Sequence, residues 1–191
     1  MSKSNNFVLV GDSHVDRIAF GYNRLGQEPV KFSNIGMTAY SAELPKEISL
    51  YKNASIIVNF GEIDIRCKLP KYNNAEKVVD QYINKTLNKF GRDKVIFLEP
   101  TPQSEDKLIE KYQTYKYDRY PLEERIVQQE IFYKALNSYN LNVIKMKNAI
   151  GVDVLTDQYT DDGCHLNDKY SYVLAEYINK YLDIPFLPPT H

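Results

Sequence analysis

Five short apolar runs, separated by longer segments of helical period, constrain this chain more than any other feature of its sequence. The runs are residues 7–10, 30–35, 55–60, 94–98 and 142–146. The third, Ser-Ile-Ile-Val-Asn-Phe, is too continuous in Ile and Val to leave one face in water. Strands of that kind lie in parallel sheets covered on both sides. Helices are expected at 15–24, 42–51, 74–90, 121–139 and 167–182, with Ala75, Val78, Val79, Tyr82, Ile83, Leu87 and Phe90 forming one apolar stripe. Gly26 and Gly91 stand where helices should stop, and Pro121 where one should start. A parallel pair needs a crossover, and alternating strands and helices supply it in the right-handed sense. The expectation is an α/β, three-layer, flavodoxin-like domain with a five-stranded parallel sheet in the order 2-1-3-4-5, residues 1–191 forming a single domain.

Charge and composition exclude several classes of function. Twenty-four Lys and Arg against 25 Asp and Glu leave a net charge of −1, without the basic excess of a nucleic-acid binder or the polybasic signature of a membrane-surface protein. No apolar run approaches the ~18–20 residues of a membrane-spanning helix. The first six residues lead straight into a strand-like run with no signal-peptide pattern, so a cytoplasmic protein is expected. In that setting Cys67 and Cys164 are read as reduced thiols. Gly11, Gly36 and Gly61 each stand alone, so there is no glycine loop to cradle a phosphate. No cofactor, metal, nucleic acid or membrane partner is expected.

In open α/β folds ligands bind beyond the carboxyl ends of the strands, and long loops are usually functional. The two long connections are 100–120 and 147–166. Gly11-Asp12-Ser13-His14 follows the first strand, Asn34-Ile35-Gly36 the second, and Gly61-Glu62-Ile63-Asp64-Ile65-Arg66 the third; Asp161-Asp162-Gly163-Cys164-His165 precedes the last helix. A serine at a strand-to-helix turn presents its hydroxyl at the top of the sheet, beside backbone N–H groups that can receive negative charge. It becomes nucleophilic only when a base takes its proton. His165 can be that base, and Asp162, three residues upstream, can fix its tautomer.

Gly11-Asp12-Ser13 after an N-terminal strand and Asp162-x-x-His165 before a C-terminal helix resemble the first and last blocks of the SGNH (GDSL-type) hydrolases. The resemblance spans nearly the whole chain. It implies a flavodoxin-like esterase with Ser13 as nucleophile, His165 as base, Asp162 as third triad member, and Gly36 contributing its N–H, with that of Ser13, to the oxyanion hole. The third block departs. The family reads Gly-x-Asn-Asp there and uses the Asn side chain as an oxyanion donor, whereas this chain has Ile63 at that position. Loss of such a donor raises a barrier by about 2.7–4 kcal/mol. If the chain continues extended, Glu62, Asp64 and Arg66 alternate onto one face, where Arg66 is a candidate replacement donor or substrate clamp. The Gly-Glu-Ile-Asp-x-Arg variant resembles SGNH-like proteins of surface-polysaccharide functions.

Each of these residues has a plainer reading. Ser13 can cap the first helix, His165 can be an ordinary helix-start histidine, Gly36 can serve a turn, and Glu62, Asp64 and Arg66 can be a structural ion cluster. Cys164 beside His165 raises a thiol nucleophile, and Asp12, His14, Asp162 and His165 a metal site. Segment 112–120 holds four tyrosines in nine residues, fitting a surface loop, a lid or a sugar-stacking wall. The leading expectation is an esterase removing a small acyl group such as acetyl from a carbohydrate. Its rivals are an O-acyltransferase with the same triad and a non-catalytic glycan-binding or structural protein.

Overall fold

The computed structural model describes residues 7–69, 74–105 and 117–183. Among these the chain runs β1 (Phe7–Gly11), α1 (His14–Arg24), β2 (Val30–Ser33), a 3-10 turn (Lys46–Leu50), β3 (Ser55–Asn59), α2 (Glu62–Arg66), α3 (Ala75–Phe90), β4 (Val95–Leu98), α4 (Leu122–Asn137), β5 (Val143–Ile144), α5 (Met146–Ile150) and α6 (Asp168–Tyr181). The five strands form one parallel sheet in the order β2-β1-β3-β4-β5. In the two ladders on either side of β1, Val8 stands opposite Val30 and Ile56, and Gly11 opposite Ser33 and Asn59.

Side chains alternate across a strand, and here the alternation divides the core in two. Phe7, Leu9, Ile57, Ile96, Leu98 and Ile144 point to one face, where Val15, Ile18 and Tyr22 of α1 and Leu174, Ala175 and Ile178 of α6 cover them. Val8, Val10, Ile56, Val58, Val95 and Phe97 point to the other, against Val78, Val79, Tyr82 and Ile83 of α3 and Phe132 and Leu136 of α4. Each fully buried Val, Leu, Ile or Phe contributes about 1.5–3 kcal/mol, so the two layers hold the sheet between them. Asn74 caps α3 by accepting from Lys77 N, and Asn167 caps α6 by accepting from Tyr170 N. No helix among the described residues is long and apolar enough to cross a membrane.

Three local expectations are corrected. A helix over 42–51 is reduced to the 3-10 turn, because Pro45 (φ −57°, ψ 139°) sits within it, lacks an N–H and drives the residue before it out of helical geometry. The connection 147–166 is not all loop, since α5 occupies its start. The segment after β3 does not stay extended. Gly61 adopts φ 118° and turns the chain directly into α2, so Glu62, Asp64 and Arg66 follow helical rather than alternating geometry.

Gly61 is also tightly enclosed. A Cβ there would lie 2.4 Å from Cζ of Phe132, in addition to the strain of a positive φ. Gly61→Ala is therefore expected to cost about 2–5 kcal/mol in urea unfolding, the sum of a left-handed backbone and an overpacked contact. Adding Phe132→Leu should return part of that loss by relieving the contact. A loss below about 1 kcal/mol would show that the turn relaxes freely.

Candidate active site

The turn after β1 builds the first half of the site. Asp12 Oδ1 accepts the N–H of His14 at 2.9 Å, tying down the start of α1. Ser13 occupies the N-cap position with helical φ and ψ (−61°, −20°), but its hydroxyl makes no capping bond. Instead Ser13 Oγ lies 2.8 Å from Nε2 of His165.

The second half is a turn closed by its own aspartate. Asp162 Oδ1 accepts from the N–H groups of Cys164 and His165 at 2.8 and 2.7 Å, and Oδ2 faces Nδ1 of the His165 ring at 2.8 Å. Burial opposes the charge on Asp162, but the bonds from the His165 ring and the two backbone donors outweigh it and hold the carboxyl well below its ordinary range. An ionised Asp162 makes Nδ1 the protonated ring nitrogen, which turns the lone pair of Nε2 to the serine hydroxyl. Ser13, Asp162 and His165 line a cleft of about 530 Å³ at the carboxyl end of β1. Ile35, 78% exposed, forms its apolar lip. Arg17 and Asp168, paired with each other, form its polar rim. Gly36, half-buried with φ 79°, follows Ile35 in the turn that Met37 N closes on Asn34 O at 3.1 Å.

The structure separates the three charged residues of α2. Arg66 Nε donates to both carboxylate oxygens of Glu62, at 2.8 and 3.2 Å, one helical turn away. Arg66 is buried and does not line the cleft. Asp64 faces elsewhere, accepting from Ala39 N at 2.7 Å and Tyr40 N at 3.1 Å, and so holds the loop beyond Gly36 against α2. Ile63 is 4% exposed. Segment 112–116 lies outside the described residues, and with it most of the tyrosine-rich stretch; Asp118 and Tyr120 pair by backbone bonds with Lys68 and Arg66.

Sequence reasoning missed one residue. His14 appears there only as a metal ligand, yet its ring stacks on that of His165 with centroids 4.5 Å apart. Its Nε2 lies 3.7 Å from Glu62 Oε2. The signal available was adjacency: a helix-start residue directly after Ser13 shares its turn. His14, Cys164 and His165 bring three potential ligand atoms within 4.8 Å of one another. An ion there would have to take His165 from Ser13 or Asp162, because both ring nitrogens are engaged. Cys164 is no nucleophile: burial, with Glu62 beside it, pushes its thiol well above the ordinary range, and Sγ donates to Glu62 Oε1 at 3.4 Å.

No protein-family model matches this sequence, and no curated protein matches it. Solved structures do match its fold. A GDSL-like lipase from Bacteroides thetaiotaomicron superposes with a TM-score of 0.69 at 14% identity, over 94% of this chain and 88% of that one. A lipase/acylhydrolase from Enterococcus faecalis gives 0.62 at 18% identity, over 97% of this chain and 100% of the other. The fold is therefore that of the GDSL-type lipase and acylhydrolase structures.

Asp64 offers a test of the electrostatics. Burial, against the bonds from Ala39 and Tyr40, pushes its carboxyl up to about 6. A carboxyl raised on folding contributes stability that is whole below its unfolded value near ~3.9 and is lost as pH rises through the folded one. Relative to Asp64→Asn, the wild type should lose up to about 3 kcal/mol between pH 4 and 7 in urea unfolding. A difference that stays constant across that window would remove Asp64 as the titrating group.

Proposed function

We propose that this protein is a serine ester hydrolase of SGNH type acting on small acyl esters. The observation that carries the reading is the unbroken line Ser13 Oγ, His165 Nε2, His165 Nδ1, Asp162 Oδ2, with 2.8 Å at each of its two hydrogen bonds. Ser13 Oγ attacks the ester carbonyl carbon and its proton passes to Nε2 of His165. The oxyanion that forms is held by the backbone N–H groups of Ser13 and Gly36. Arg66, whose Nε is taken up by Glu62, is assigned to that buried pair rather than to the oxyanion. The intermediate collapses as the leaving alcohol oxygen takes the proton from His165. Water then attacks the acyl-serine, giving its proton to His165; the second tetrahedral intermediate collapses as Ser13 Oγ leaves and takes that proton back from His165, and the acid departs.

The favoured substrate is an acylated carbohydrate, acetyl being the simplest acyl group. What supports this is the lining of the cleft: Arg17, Asp161, Asn167 and Asp168 offer hydrogen-bonding groups suited to hydroxyls, beside the apolar side chains of Ile35 at the lip and Leu166. The likeness of the third block to surface-polysaccharide proteins points the same way. With a sugar hydroxyl in place of water, the same residues would perform acyl transfer, and adding a sugar acceptor to the assay separates the two. Ile63 in the donor position favours a second reading, a glycan-binding protein without turnover. Covalent labelling by a fluorophosphonate decides between them: an adduct on Ser13 supports the enzyme, and its absence the binding protein.

Ser13→Ala should abolish hydrolysis of p-nitrophenyl acetate while leaving the thermal midpoint within a few degrees, because its hydroxyl caps nothing. His165→Ala should do nearly the same, and the double variant should be no slower than either single one. Losses that multiply in the double variant would mean that the two residues do not act as a unit.

A further inference from the structure

His14, whose ring stacks on that of His165, belongs to a group of four polar side chains packed where water does not reach. His14, Glu62, Arg66 and Cys164 are all buried, and Glu62 is 2% exposed. They come from three segments: the start of α1, all of α2, and the turn before α6. Glu62 is their hub. It takes Arg66 Nε on both carboxylate oxygens, the thiol of Cys164 on Oε1, and the edge of the His14 ring on the Oε2 side. Burial opposes the charge on Glu62, but Arg66 and His14 overcome it and hold the carboxyl well below its ordinary range. A buried ion pair of this kind adds little net stability, and apolar side chains of the same volume would fill the space as well. The His14 ring is itself unfavourable there: it is 4% exposed, and its Nδ1 has no hydrogen-bond partner among the described residues. Packing alone would have been better served by a leucine.

What the arrangement does achieve is to fix one flat ring against another. The His14 backbone N–H is held by Asp12, its Nε2 edge faces Glu62, and its face lies on His165 at 4.5 Å with 29° between the planes. We infer that His14 is a positioning residue for His165: keyed to the Glu62–Arg66 pair, its ring is the surface on which the His165 imidazolium forms as the serine proton is taken. This rests on the reading of His165 as the base. His165 gains a full positive charge only on the way to the transition state, and an aromatic face next to a cation is attractive. A neutral ring in that place therefore favours the transition state over the ground state, which is an effect on kcat and not on KM. The ring also blocks His165 from swinging out of line with Ser13. Burial, then the neighbouring charge of His165, lowers the tendency of His14 to take a proton, so that the two stacked rings do not compete for it.

The test compares His14→Leu, which keeps volume without a flat face, with His14→Phe, which keeps the face without the contact to Glu62. On p-nitrophenyl acetate the leucine variant should lose about 10²-fold in kcat, the cost of a misplaced catalytic group, with KM within about twofold of wild type. The phenylalanine variant should recover most of that loss, to within about tenfold of wild type. The rate of Ser13 labelling by a fluorophosphonate should follow the same order. If the leucine variant does not fold, His14→Gln, polar but without a ring, takes its place. Wild-type kcat in the ring-less variant, or equal losses with and without the ring, would overturn the role of His14. Wild-type protein that forms no Ser13 adduct would instead overturn the reading of the site itself.

Discussion

The carboxyl edge of the sheet hangs on the close approach of β1 to β3 at Gly11. A Cβ on Gly11 would lie 2.2 Å from the carbonyl oxygen of Asn59, so only glycine lets the two strands run together to their ends. From that contact the edge is stitched outward. Asp12 N donates to Asn59 O, Asn34 N to Gly11 O, and the Asn59 side chain to the carbonyls of Leu98 and Glu99. These bonds satisfy backbone groups just where the strands stop and the ladder can no longer do so. They also bring the turn bearing Ser13 and the helix bearing Glu62 side by side. The stacked histidines and the buried ion pair follow from that neighbourhood.

Three carboxylates around the site have been put to different uses by their surroundings. Asp162 accepts two backbone donors and a ring nitrogen and is held ionised. Glu62 is more deeply buried but carries a guanidinium on both oxygens, and is ionised as well. Asp64 accepts from the backbone N–H groups of Ala39 and Tyr40, burial outweighs them, and its carboxyl rises instead. Desolvation acts on all three, and the number and charge of the donors decides which way each moves. The consequence is a division of labour: a charge that orients the His165 ring, a charge that faces the ring of His14, and a carboxyl raised to about 6 that anchors the loop beyond Gly36.

Sequence reasoning failed locally where a single backbone residue overrode a side-chain pattern. The apolar spacing of Leu44, Ile48 and Tyr51 reads as a helix, yet Pro45 removes the N–H and the geometry that a helix there would need. Glu62, Asp64 and Arg66 alternate in sequence as strand residues do, yet the positive φ of Gly61 has already ended β3 and begun a helix. In both places the proline or glycine was visible, and its weight against the pattern was underrated.

The sequence by itself determined the architecture and the shortlist of chemistry. Continuous Val and Ile runs can only be buried on both faces, so a parallel sheet between two helical layers was legible in the sequence, and its order 2-1-3-4-5 was the flavodoxin-like arrangement expected of alternating strands and helices. Ser13, Asp162 and His165 were legible as candidates because each sits in a short motif at a strand or helix end. Asp162 and His165 are three residues apart, and their bond follows from local turn geometry. What only the tertiary structure decided is everything that spans the chain. Ser13 meets His165 across 152 residues, and Cys164 meets Glu62 across 102. Periodicity states which face of an element is buried, but not which side chain of a distant element it is buried against. The stacking of His14 on His165, and the turning of Arg66 inward to Glu62 instead of outward to the cleft, were fixed by close packing among α1, α2 and the turn before α6, and no local pattern encodes that.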